Sequence, residues 1–255
     1  VQMKMRRVEP KCVINIKRIP ELDYIREGPT GVRIGAATRL RRLERSGAIK
    51  RLFPALHRAI RWMASVQVRN MATIGGNLCN ASPAADTAPP LIVYGARVKL
   101  ASVSGERTLP VEEFFTGPGR TAMRPGEMLT EIWIPRQPEG TGSAFIKVAR
   151  TAMDLAKVNV AVALTLKGWS AFNVRIALGS VAPTPMRARE AEAALEGRPP
   201  TEDLLRRVGE IASEEIRPIT DVRSTAEYRR EVTKVIVADA LREALGMVRV
   251  VGGVA

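Results

Sequence analysis

Three strand-like runs in succession, followed by three helical patterns, set the tightest limit on how this chain folds. Residues 144–148, 158–166 and 172–178 are rich in β-branched and apolar side chains, in stretches of strand length. Val174, Ile176 and Leu178 alternate with Asn173, Arg175 and Ala177, the two-residue period of a pleated strand. Lys167-Gly168 fits a tight connection between the last two runs. Helical patterns then begin near Pro185, after Thr201 and after Ser224. In the last of these Ser224 and Glu227 have capping-box spacing, Tyr228, Val232, Val235, Ile236 and Ala240 share a face, and Gly246 marks the end. Strands followed by segregated helices predict an α+β unit around an antiparallel sheet, over residues 143–250.

The preceding part reads differently, and residues 135–142, where Pro and Gly cluster without apolar periodicity, are the best linker. A first unit over residues 1–137 is therefore expected. Within it residues 13–16, 32–34, 91–93, 97–101 and 131–134 read as strands. Thr38 fits the cap of a helix reaching Ser46. A longer helix is expected over residues 51–65, where Leu52, Leu56, Ile60 and Met63 recur at helical spacing. Residues 70–90 carry Gly, Asn, Ser, Pro and Ala with little periodicity. They read as a long loop, and long loops inside compact domains are usually functional.

Composition excludes several chemistries. Two cysteines, Cys12 and Cys79, cannot supply a disulfide framework or the four thiolates of an iron–sulfur cluster. One histidine, His57, excludes a His-rich zinc site, and its place beside an apolar helix face fits packing. The net charge of +14 admits nucleic acid, but the basic residues are dispersed and aromatics, at 4%, are too few for base stacking. The Arg39, Arg41, Arg42 and Arg45 cluster reads as a solvated helix face or a docking surface for an acidic subunit. The longest apolar stretch, residues 158–166, is broken by Asn159 and Thr165 and falls short of a membrane span. Residues 1–7 lack the apolar core of a secretory signal, so the expected compartment is the cytoplasm. Trp62, Trp133 and Trp169 read as packing residues, and Arg150 with Asp154 as a structural ion pair.

The chemistry is concentrated in residues 72–86, ATIGGNLCNASPAAD. Gly75 and Gly76 let a backbone approach a ligand closely, and Thr73, Asn77, Asn80 and Ser82 offer short hydrogen-bonding groups. Successive backbone N–H groups in such a turn can cradle a diphosphate, and Asp86 could accept hydrogen bonds from sugar-like hydroxyls. By itself such a loop is equally well a structural turn. It matches neither the dinucleotide fingerprint nor a P-loop.

The longer string QVRNMATIGGNL at 67–78, followed by Ser82-Pro83 and Asp86, resembles the flavin-binding subunit of the molybdenum hydroxylases, the carbon monoxide dehydrogenase and xanthine dehydrogenase type. Ile34-Gly35-Ala36, Phe114-Phe115-Thr116-Gly117, Glu127-Met128-Leu129-Thr130 and Arg175-Ile176-Ala177-Leu178-Gly179 extend the likeness in order along the chain. The resemblance implies a vanillyl-oxidase-like (PCMH-type) FAD-binding domain followed by a smaller α+β domain. It implies that Ala72, Thr73, Gly75, Gly76, Asn77, Asn80, Ser82 and Asp86 surround the FAD diphosphate and ribityl chain. Cys79 would pack beside the flavin, Leu129 near the flavin or adenine, and Lys147 near the isoalloxazine, unless Lys147 is a solvated strand residue. The family's earlier glycine-rich loop has no counterpart here. Residues 1–6 resemble the helix that follows it, so the FAD-binding domain is expected to be N-terminally incomplete relative to the family. FAD is the implied cofactor. The molybdenum cofactor and two-iron two-sulfur clusters belong on a large and a small partner subunit, and electrons would leave through FAD to an outside acceptor. A stand-alone flavin oxidase or reductase, or a basic binding protein without FAD, are the competing expectations.

Overall fold

A computed structural model describes residues 3–6 and 8–248. Of the stretch 1–6 it shows a turn over 3–6, and residues 1 and 2, like 249 and 250 of the expected second unit, lie outside the described residues.

The first half begins with two short 3-10 turns, Ile16–Arg18 and Pro20–Leu22. β1 (Ile25–Gly28) and β2 (Gly31–Gly35) form a hairpin. A run of short helices follows: α1 (Leu40–Glu44), α2 (Gly47–Leu52), α3 (Pro54–Arg61), α4 (Val66–Met71), α5 (Ile74–Cys79) and α6 (Ala88–Val93). β3 (Arg97–Ser102) and β4 (Gly105–Pro110), the single turn α7 (Val111–Phe114), the small ribbon β5 (Phe115–Gly117) with β6 (Arg120–Thr121), and β7 (Met128–Pro135) complete this half. Among the described residues the main sheet has the order β1-β2-β7-β3-β4, antiparallel throughout.

Side-chain alternation explains the sheet. Val32, Ile34, Val98, Leu100, Ile132 and Ile134 are fully buried on one face against the helices. Each such burial contributes about 1.5–3 kcal/mol. The other face is polar: Glu131 accepts hydrogen bonds from the Tyr24 hydroxyl at 2.6 Å and the Arg33 guanidinium at 2.6 Å. Burial, with Glu131 beside it, pushes the Tyr24 phenol up to about 12.

The second half holds β8 (Thr141–Val148), β9 (Val158–Lys167), β10 (Ser170–Gly179) and the two-residue β11 (Met186–Arg187), paired antiparallel in the order β11-β10-β9-β8. α8 (Arg189–Leu195), α9 (Glu202–Glu215) and α10 (Ala226–Met247) follow. The expected strands are present, with β11 added at the edge. This sheet is covered on both faces, which accounts for the nearly unbroken apolar reading of β9. Phe145, Ala161, Ala163 and Ala177 face the first half, whereas Val160, Val162, Leu164, Ile176 and Leu178 face α8–α10. Small residues on the first side let the two cores meet closely, and an ion pair from Arg58 in α3 to Glu243 in α10 crosses the same boundary.

Several expectations are corrected. Residues 13–16 are not a strand; Asn15 instead caps the first 3-10 turn, its side chain accepting from the Lys17 N–H. Residues 91–93 lie in α6, whose six residues are all buried. A short apolar run buried on every side carries no period that separates helix from strand. The helix expected over 51–65 is two, broken because Pro54 starts α3 and cannot continue α2. Thr38 does not cap α1; its hydroxyl donates to the Tyr24 carbonyl and accepts from the Tyr24 N–H. α10 is capped by Thr225, not Ser224, and runs past Gly246. Its buried face carries Arg229, Thr233, Ile236, Val237, Ala240, Leu241 and Ala244, while Tyr228 and Val235 are exposed. Trp169, 90% exposed at a hairpin tip, and Trp62, half exposed, are not packing residues.

Candidate functional site

The loop expected over 70–90 is largely helical, and short helices give it two faces. Ser65 caps α4, its hydroxyl accepting from the Val68 N–H. Thr73 caps α5, its hydroxyl accepting from the Gly76 N–H at 3.0 Å. Residues 72 and 73 between these helices run extended, and Thr73 pairs with Arg39 as an isolated bridge. The Leu40 N–H donates to the Ala72 carbonyl, the Ile74 N–H to Thr38 and the Gly75 N–H to Ala36. These bonds fasten the segment to the end of the first sheet.

The two glycines do different work. Gly75 is buried, and a Cβ there would come within 2.6 Å of the Ala36 carbonyl oxygen and 2.7 Å of its Cβ. Its smallness serves packing of the helix onto Ala36. Gly76 is exposed, and an added Cβ would meet only the Thr73 hydroxyl, at 3.0 Å. It opens onto a groove of about 960 Å³ together with Ala72, Thr73, Asn77 and Asn80.

The opposite wall of this groove is the segment misread as a strand. Val13 and Ile14 present exposed apolar side chains, and the Lys17 ammonium donates to the Met71 carbonyl at 2.8 Å. Lys17 places a cation beside the polar wall. Nothing in its sequence neighbourhood marked it, because the apolar run before it suggested a strand ending short of it. Polar capacity on the loop wall is unspent. The Asn77 carbonyl oxygen accepts from the Thr87 hydroxyl at 2.6 Å and leaves its amide N–H groups over, and the Asn80 side chain has no hydrogen-bond partner among the described residues.

The remaining expected site residues lie elsewhere. Cys79 is partly buried with its sulfur 4.0 Å from the Met123 sulfur, and burial pushes its thiol up to about 11. A thiol so held is protonated near neutral pH, which suits packing. Ser82 accepts from the Ala84 N–H and lines a separate cavity of about 220 Å³ with Pro83, Leu155 and Ser180. Leu129 is 3% exposed inside the core of the first half.

Asp86 and Lys147 form a buried pair. The Lys147 ammonium donates to an Asp86 carboxylate oxygen at 2.8 Å and to the Trp62 carbonyl at 3.3 Å. The other carboxylate oxygen accepts from the Asn159 amide at 2.8 Å. Burial pushes the Asp86 carboxyl up, while the Lys147 charge and the bonds from Lys147 and Asn159 pull it back. The alternative of a solvated strand residue is thus corrected for Lys147, which is buried, and each Asp86 oxygen already accepts one hydrogen bond. The pair ties the loop to the second sheet, since Lys147 lies on β8 and Asn159 on β9. His57 sits on α3 with Nε2 3.0 Å from the Glu44 carbonyl oxygen, a packing role. Arg150 and Asp154 form the expected ion pair at 3.0 Å.

Comparison with known proteins adds an independent line. Residues 1–137 match a family described as the FAD-binding domain in molybdopterin dehydrogenase, and residues 143–244 the carbon monoxide dehydrogenase flavoprotein C-terminal domain. The glyceraldehyde dehydrogenase medium chain of Sulfolobus acidocaldarius is 37% identical over 241 residues, covering 94% of this chain and 85% of that one. The carbon monoxide dehydrogenase medium chain of Hydrogenophaga pseudoflava is 34% identical over 242 residues, covering 95% and 84%. The solved carbon monoxide dehydrogenase of the latter organism superposes with a TM-score of 0.94 at 35% identity, over 97% of this chain and 86% of that one. No helix among the described residues is long and apolar enough to cross a membrane. A glycine-backed polar groove on a helical loop, an antiparallel sheet covered on both faces, and likeness along nearly the whole chain agree: the protein belongs to the FAD-binding medium subunits of the molybdenum hydroxylase-type dehydrogenases.

Proposed function

We propose that this chain carries FAD in a molybdenum hydroxylase complex and passes electrons from iron–sulfur clusters to an external acceptor. The observation that carries this reading is the groove beside Gly76, where hydrogen-bonding groups stand unspent next to a backbone with no side chain over it. Asn80, the Asn77 amide, Lys17 and the open face at Gly76 have the chemistry a diphosphate needs: donors, a cation and close approach. The donor set fits FAD, with Ala72, Thr73, Gly76, Asn77 and Asn80 holding its polar chain. When bound, FAD supplies the exchange between one- and two-electron transfer. The chain's own part is to bind, orient and shield. Thr73 fixes the start of α5, Gly75 presses the loop onto Ala36, and Cys79 and Leu129 pack in the core behind the loop. Lys147 and Asp86 act from beneath, holding the loop against β8 and β9.

Two cysteines are too few to ligate a two-iron two-sulfur cluster, which supports a reading in which electrons reach this chain from a partner. We place such clusters on a small subunit and the molybdenum cofactor on a large one. We also propose residues 1–137 and 143–250 as the bounds of the two domains.

Purification of the complex from its own cells, with analysis of flavin, iron and molybdenum, tests the reading. Flavin absorbance with stoichiometric iron and molybdenum is expected, and a colourless complex overturns it. Gly76→Val is expected to lower the flavin content of the folded protein; unchanged flavin removes the groove from the site.

A further inference from the structure

Arg175 stands where arginines rarely do. It lies on β10, half buried, just past a β-bulge between Phe172 and Arg175 in which Asn173 takes a φ of 53°. A bulge re-aims the side chains that follow it. Its guanidinium packs against Gly95, close enough that a Cβ there would come within 2.6 Å of Nη1. Gly95 itself has a φ of 67°, so the close approach falls where glycine is already required. Neighbouring arginines are paired: Arg187 with Glu192 at 2.5 Å and Arg189 with Glu112 at 2.6 Å. Arg175 has neither a hydrogen-bond nor an ion-pair partner among the described residues. Burial, and then the Arg187 charge, push its guanidinium below its ordinary value, and the Glu192 and Glu112 carboxylates offset this only in part.

The guanidinium lines a cavity of about 210 Å³ at the junction of the two halves. One side of that cavity comes from Gly95 and Gln137 of the first half, the other from Thr141, Thr165 and Asn173 of the second. The Thr141 and Thr165 hydroxyls are 2.9 Å apart and share one hydrogen, so the second is left to donate outward. The volume equals roughly seven water molecules, well below a nucleotide pocket.

We propose that this cavity is a binding site for a small oxyanion, a phosphate or a short carboxylate, gripped by Arg175 with help from the threonine pair. A planar guanidinium presents paired donors that match the oxygens of either anion. The polar walls disfavour an apolar ligand, and the size disfavours a nucleotide. The site is distinct from the groove beside Gly76, shares none of its residues, and does not depend on the flavin reading. An anion here would bridge the two halves and would be read as stabilisation of the whole chain.

The test is a titration of the full chain with sodium phosphate, and separately with sodium succinate, each against sodium chloride at equal ionic strength. Thermal unfolding and calorimetry are the readouts. A saturable rise in Tm with one or both oxyanions, and none with chloride, is expected; which arm saturates tells phosphate from carboxylate. Arg175→Gln is expected to weaken that binding roughly tenfold or more, the loss of a charged donor pair. Should Arg175→Gln fail to fold, Asn173→Asp decides: a carboxylate at the exposed rim is expected to abolish oxyanion binding while the fold persists. No saturation with either oxyanion, equal response to chloride, or undiminished binding in the foldable variant overturns the proposal.

Discussion

Along residues 72–86 one stretch of chain serves two surfaces, and the fold treats their polar groups in opposite ways. On the groove side the Asn77 amide and the Asn80 side chain keep hydrogen-bonding capacity unspent, and with Gly76 they stand partly or fully exposed. On the inner side Asp86 is 4% exposed and both its oxygens are engaged, by Lys147 and Asn159. Spent capacity marks a joint, and unspent capacity beside a bare backbone marks a place for something else. The two glycines repeat the contrast one residue apart, Gly75 pressed on Ala36 and Gly76 open.

The contrast can be broken by experiment. Lys147→Met leaves the Asp86 charge buried without its partner and is expected to cost about 3–5 kcal/mol in urea unfolding. Pairing it with Asp86→Leu should recover much of that loss; a single-variant cost near zero would show that the pair is not a joint. Gly75→Ala forces Ala36 to move and is expected to cost about 1–3 kcal/mol. Gly76→Val, one position on, should change stability by less than about 1 kcal/mol, so that its effect falls on flavin content alone. Equal destabilisation by the two glycine variants would erase the distinction between the surfaces.

Two smaller effects serve as controls outside both surfaces. The Arg107 guanidinium, and then the Arg124 N–H, hold the Glu127 carboxyl down to about 2. A carboxyl depressed in the folded state stabilises above its unfolded pKa, and that contribution fades as pH falls towards 2. Glu127→Gln should therefore lower Tm near pH 7 and flatten its fall between about pH 5 and 2, so that variant and parent converge near pH 2. Cys79, with its thiol near 11, should react with iodoacetamide at pH 8 far more slowly than exposed Cys12; mass mapping of the labelled peptides reads the order.

How much was legible in the sequence follows the same physics. β2, β3, β7 and the three long strands of the second sheet were readable because alternation or length betrays them, and a helix after Thr201 was readable as α9. α4, α5 and α6 were not, because six residues complete fewer than two turns and show no period. The phase of α10 was misread because Arg229 and Thr233 are buried, Arg229 bonded to the Ser180 carbonyl and to Asp221. At the site, Ala72, Thr73, Gly76, Asn77 and Asn80, close together in the motif, line one groove. Lys17 was invisible, since only the three-dimensional fold brings it to Met71. The roles of Asp86 and Lys147 were equally hidden, because a buried partner 61 residues away leaves no trace in local pattern.

The Asp86–Lys147 pair also governs how the polypeptide can be dissected. Residues 136–140, between β7 and β8, are an inviting place to cut. A cut there would send the carboxylate and the ammonium to different fragments, each with an ion made for a dry interior and no counter-ion to meet it. The Ala161, Ala163 and Ala177 face would be bared in one fragment and its matching core in the other. Shuffling such halves between relatives therefore succeeds or fails on whether both sides of this charge and this small-residue face travel together.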